Sequence, residues 1–143
     1  MTLDELNRFL KTLKSTRGRL ERILEYVKQI QADVTAINSV LSGENGGSGS
    51  GSHSKTENGA IRLYEAQERY QRELEKYYAM EDKLNAVMNA YLSDEERDII
   101  VSHYILRRSF QRIAREQHFD ERTIFRKLKG AKQKILQNWQ SCQ

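Results

Sequence analysis

Six cations occupy the thirteen positions from Arg122 to Lys134, namely Arg122, Arg126, Lys127, Lys129, Lys132 and Lys134, and no carboxylate follows Glu121. Guanidinium forks and ammonium groups at this density suit phosphate oxygens, although a bare charge run reads equally as a solvated helix face. Other chemistry has little to work with. His53, His103 and His118 have no metal-ligand spacing with one another or with Cys142. Glu95–Glu96 and Glu81–Asp82 are helix neighbours with no apolar pocket to shift a carboxyl pKa. Gly47–Gly51 lacks the preceding strand and the following Lys-Ser/Thr of a phosphate loop. No catalytic residue, metal or cofactor is expected, and the chain does not read as an enzyme.

The elements that must position the cations lie in residues 93–143, which hold 11 basic and 7 acidic residues and so match the +4 of the whole chain. Ser93 and Glu96 have capping-box spacing, which predicts a helix over Asp94–Leu106 with Ile99, Ile100, His103 and Tyr104 on one side. Arg107–Arg108 interrupt it, and Ser109 starts a short second helix with Phe110, Ile113 and Ala114. After Gln117–His118–Phe119, Asp120 caps a last helix that runs to about Trp139. Its apolar positions Ile124, Leu128, Ala131 and Ile135 step four, three and four, and Arg122, Arg126, Lys129 and Gln133 fall on the opposite face. Glu121, Phe125 and Lys132 lie beside that face. Two helices joined by a tight turn, the second basic and capped, form a helix-turn-helix signature. Ala114 is small where the helices cross, Ile124 and Leu128 pack back on Ile113, and Phe119 plugs the turn. The free face can then lie in a DNA major groove. Phe125 can meet a thymine methyl there or pack on the preceding helix.

Upstream, residues 1–41 read as one long amphipathic helix. Leu6, Leu13, Leu20, Val27, Val34 and Leu41 make a coiled-coil seam, widened by Ile23, Ile30 and Ile37. Residues 42–59 are rich in Gly and Ser and read as a flexible linker. Residues 60–92 resume helical periodicity through Leu63, Tyr70, Leu74, Tyr77, Leu84, Met88 and Tyr91. A linker this short makes an antiparallel hairpin easier than a parallel pair, unless the stripes are shared between two chains. The tyrosines at helical spacing read as packing rather than a base-stacking platform, and Trp139 as a C-terminal packing residue. The fold class is therefore all-α, in keeping with 8 glycines and no proline. One cysteine cannot form an intrachain disulfide, no apolar run approaches the ~18–20 residues of a membrane span, and none follows Met1 as a secretion signal does. A cytoplasmic protein without a membrane partner is expected.

The stretch from Tyr91 to Leu136 resembles region 4 of bacterial sigma factors. The matching elements are Glu96–Arg97, Ile99–Ile100, Ile113–Ala114, Phe119, Thr123–Ile124, Leu128 and Ala131. His118 stands where that family usually has a left-handed glycine, and Gln117 where it usually has leucine. The wider layout, including the Ser54–Asn58 segment SKTEN, is similar to phage late-gene transcription activators of the RinA/ArpU type. That resemblance implies sequence-specific binding of double-stranded DNA, transcription activation and contact with bacterial host RNA polymerase, with Arg122, Arg126 and Lys129 at recognition-helix positions. Arg122 and Arg126 are the expected base readers and Glu121 a cytosine reader. Lys127, Lys129, Lys132 and Lys134 are the expected phosphate contacts. The helices 1–41 and 60–92 would serve dimerisation, higher assembly or polymerase contact. A helical interaction adaptor and the DNA-recognition subunit of a phage packaging machine are the rival readings.

Overall fold

A computed structural model of the chain describes the backbone of residues 1–42 and 51–142 and the side chains of residues 1–36 and 57–141. The described residues are helical and contain no strand, in agreement with the all-α expectation. In chain order the elements are α1 (Leu3–Ser42), α2 (Gly51–Tyr91), α3 (Asp94–Ile100), a π turn (Val101–Ile105), α4 (Phe110–Glu116), α5 (Glu121–Asn138) and a closing 3₁₀ turn (Trp139–Cys142). None of the described helices is long and apolar enough to cross a membrane.

Two boundaries differ from the sequence reading. The second helix begins at Gly51, so the Gly/Ser linker expected over 42–59 does not extend past residue 50, and its residues 43–50 lie outside the described residues. Once a helix is nucleated, each further residue adds a hydrogen bond at little cost, and polar composition alone does not stop it. Gly59 also faces α1 so closely that a Cβ there would stand 3.0 Å from Cγ2 of Val34. The helix expected over Asp94–Leu106 becomes α3 followed by the π turn, closed by Leu106 N–H to Val101 O at 2.8 Å and Arg108 N–H to Ser102 O at 2.9 Å. The wider turn brings Ile100 and Ile105, five residues apart, into the core together with Tyr104. Arg107, with φ 57°, then turns the chain toward α4.

The chain packs as two compact units. One comprises Gly18–Glu75, where α1 and α2 run antiparallel: Arg19 meets Glu73 at 3.4 Å, and Val34 meets Gly59 fifteen residues further along α1. Its core is Ile23, Val27, Ile30 and Ala66, with Val34, Leu63 and Tyr70 packed against it. Each large aliphatic side chain withdrawn there contributes about 1.5–3 kcal/mol.

The other unit joins Met1–Arg17 to Lys76–Gln143. Leu6, Leu10 and Leu13 of α1 are fully buried in it, as are Leu84, Val87 and Met88 of α2. Ile99, Ile100, Ile124 and Ile135 complete the same core at 0% exposure. Phe9 meets Trp139 edge-on, with ring centroids 5.0 Å apart, and Lys83 lies over the same indole. Packing thus groups the first turns of α1 with residues 93–143, across the boundary that element order alone suggests.

Candidate nucleic-acid interface

The turn between α4 and α5 is built from local bonds. Ser109 caps α4 by accepting from Arg112 N–H at 3.2 Å. The helix ends where Gln117 N–H reaches Ile113 O at 2.9 Å and Phe119 N–H reaches Ala114 O at 3.0 Å. Between them His118 takes φ 56°, a left-handed conformation that histidine tolerates better than most residues. This matches its position on the glycine of the resembled pattern. Asp120 then caps α5, its Oδ1 accepting from Thr123 N–H at 2.7 Å. Bonds from the Thr123 side chain and backbone, with Arg122 and Arg126 nearby, hold the Asp120 carboxyl below its usual range.

α5 docks on its apolar stripe. Ile124, Leu128, Ala131 and Ile135 are buried, and Ile113 and Ala114 of α4 are buried with them. Phe119 is half-buried, with the Lys127 ammonium 4.7 Å above its ring. α4 and α5 are thus joined by a short capped turn, with Ile113, Ala114, Ile124 and Leu128 buried and Phe119 half-buried.

The cations of α5 divide into two groups. Lys127 pairs with Glu95 of α3. Lys134 donates to both carboxylate oxygens of Glu96, at 2.8 and 2.9 Å. Burial alone would raise the Glu96 pKa, but the bonds from Lys134 and Ser93 N–H outweigh it and hold the carboxyl below its ordinary range. Lys132 donates to Asn7 Oδ1 of α1 at 2.8 Å and lies over the Tyr104 ring. These three lysines, expected on phosphates, are bonded instead to the unit's own groups on α3 and the start of α1, although Lys134 remains exposed. Arg122, Arg126 and Lys129 behave differently. All three are exposed, and among the described residues they make no hydrogen bond or ion pair. With Gln133 they step four, three and four along the solvent face, a row spanning about 16 Å at the helical rise.

Glu121 is exposed at the start of that row. Phe125 packs on the preceding helix, its ring tilted against Phe110 at 4.7 Å, and is 47% exposed between Arg122 and Lys129. Phe110 in turn stacks on His103 at 3.9 Å. His103 Nδ1–H donates to Arg108 O at 2.9 Å, and its Nε2 faces Lys14 Nζ at 3.4 Å. Burial, reinforced by the charges of Lys14 and Lys132, pushes the His103 pKa down, against the opposing effect of the Arg108 bond. Glu116 of α4 pairs with Arg108 at 2.9 Å and with Arg112 at 2.8 Å, so the three groups together keep one positive charge. The supporting roles of Asn7 and of the Phe110–His103 stack had no sequence signal. Asn7 lies 125 positions from its lysine, and Phe110 read simply as a core residue. Among the described residues, no group of three His, Cys, Asp or Glu side chains is placed to hold a metal ion.

A family model described as a protein of unknown function, DUF722, matches residues 16–137, and the chain belongs to that family. No curated protein and no solved structure matches it.

Proposed function

We propose that this member of the DUF722 family is a double-stranded-DNA-binding transcription regulator that uses α5 as its recognition helix. The observation that carries the proposal is the division of α5: one side is buried and its flanking lysines are paired internally, while Arg122, Arg126 and Lys129 stand exposed in one row. A helix seated in this way can enter a major groove about 12 Å wide without unfolding any contact that holds it. Arg122 and Arg126, in the first turns, reach base edges, and Lys129 meets a phosphate. Glu121 can accept from a cytosine amino group, and the open edge of Phe125 can contact a thymine methyl. No bond is made or broken in this role.

The resemblance to sigma region 4 and to RinA/ArpU-type activators extends the proposal to the activation of phage or prophage late genes alongside bacterial RNA polymerase. Duplexes selected from a randomised pool by the full chain provide the test. Affinity for the selected duplex should fall steeply with salt, because each neutralised phosphate releases counterions. Arg122→Ala should lose about 1–3 kcal/mol of discrimination at one base pair. A selection that yields no enriched sequence, or binding indifferent to salt, would refute the proposal.

A further inference from the structure

The unit formed by Gly18–Glu75 carries nine acidic and seven basic residues, yet four of its cations gather in one place, remote in sequence from α5. Arg19 and Arg22 of α1 and Arg62 and Arg69 of α2 line one hollow along the seam between the two helices. All four are arginines. Only Arg19 is paired, with Glu73 at 3.4 Å, whereas Arg22, Arg62 and Arg69 make no hydrogen bond or ion pair among the described residues. Among the described residues Glu65 is the only acidic residue lining the hollow, and it bridges none of the arginines within ion-pair distance. The floor is apolar, formed by Ile23 and Ala66, and Tyr26 walls one side at 53% exposure.

We infer that this hollow is a docking site for an acidic segment of a partner protein, one that places an apolar side chain on the Ile23–Ala66 floor between flanking carboxylates. Planar guanidinium forks bind carboxylates in bidentate fashion, and three such forks beside an apolar floor offer local charge complementarity to an anionic partner. A nucleic-acid backbone would supply the charge but leave the apolar floor and the Tyr26 face without a complement. A second copy paired about a two-fold axis would set the same patch against itself, arginine facing arginine. An acidic peptide with an apolar anchor satisfies both halves of the surface. This inference stands independently of the DNA-binding proposal, since it uses no residue of α5.

The test is a selection of displayed random short peptides on the full-length protein, counter-selected on the triple variant Arg22→Glu, Arg62→Glu, Arg69→Glu, whose melting curve verifies folding. Enriched peptides should carry Asp or Glu on both sides of Leu, Ile, Phe or Met. A fluorescent copy of the leading peptide should bind the triple variant about tenfold or more weakly. Replacing its apolar residue by alanine should weaken binding as well. The variant Arg122→Ala, Arg126→Ala, Lys129→Ala should bind the peptide unchanged, which keeps this test separate from that of α5. The inference is overturned if no acidic consensus emerges against the counter-selection. It is also overturned if the triple variant loses duplex DNA binding as strongly as the α5 variant does, or if its only change is a loss of self-association.

Discussion

Lys129 and Lys134 sit five positions apart on one helix, and the structure assigns them opposite duties. Lys129 is exposed without a protein partner among the described residues. Lys134 is committed to Glu96, whose side chain keeps only 14% of its exposure. Alanine at either position removes one positive charge, so a net-charge argument predicts equal effects on DNA binding. The geometry predicts unequal ones. If Lys129 neutralises one phosphate, Lys129→Ala flattens the slope of log affinity against log salt by about 0.9, and each such contact accounts for about a 3.5-fold loss over a roughly fourfold rise in salt. Melting of that variant should stay within about 0.5 kcal/mol of the parent, as expected for an exposed site. Lys134→Ala should leave the salt slope unchanged. It strips the Glu96 carboxylate of its cation at a cost of about 1 kcal/mol, lowering Tm by about 2–5 °C. Fluorescence anisotropy of a labelled duplex across a salt series, beside thermal melts of the same samples, reads both quantities. Equal flattening by the two variants, or none by Lys129→Ala, would refute the reasoning.

Three further outcomes follow from local geometry. His118→Gly relieves a left-handed φ of 56° and should stabilise by about 0.5–1 kcal/mol in thermal melts, because the 1–2 kcal/mol strain exceeds glycine's added chain entropy. Asp120→Ala removes the cap that accepts from Thr123 N–H and should lower Tm, with faster amide exchange confined to the first turn of α5. The His103 pKa is depressed in the folded chain, so the unfolded chain binds the extra proton first. The stability this histidine contributes is therefore intact above the ordinary value of 6.5 and is lost as pH falls from there toward the lower folded value. His103→Gln should flatten the Tm–pH curve in that window, and an unchanged curve would show the depression to be unimportant.

What the sequence made legible was short in range. The caps Ser93, Ser109 and Asp120 bond to groups three residues away, so each is written in its own neighbourhood. The left-handed φ of His118 was signalled only by the resemblance to sigma region 4, which has glycine at that position. The leucine stripe of α1 announced burial but not its partner: Leu6, Leu10 and Leu13 belong to the unit that holds residues 76–143, while Ile23, Val27 and Ile30 pack with Ala66 of α2. Periodicity contains nothing that distinguishes these destinations. The cations of α5 were found by composition, but their sorting was not. It depends on Glu95, Glu96 and Asn7, which lie 32, 38 and 125 positions from Lys127, Lys134 and Lys132.

In the proposed complex the row of Arg122, Arg126 and Lys129 enters the duplex groove. The most direct measurement of this is an NMR titration of the uniformly ¹⁵N-labelled full chain with a selected duplex, following side-chain Nε–H signals of the arginines and backbone amides together. The Arg122 and Arg126 side chains should shift and exchange more slowly with solvent, joined by amides from Glu121 to Lys129, while signals of Gly18–Glu75 stay in place. Shifts concentrated in that hairpin, or an α5 unmoved by saturating duplex, would contradict it.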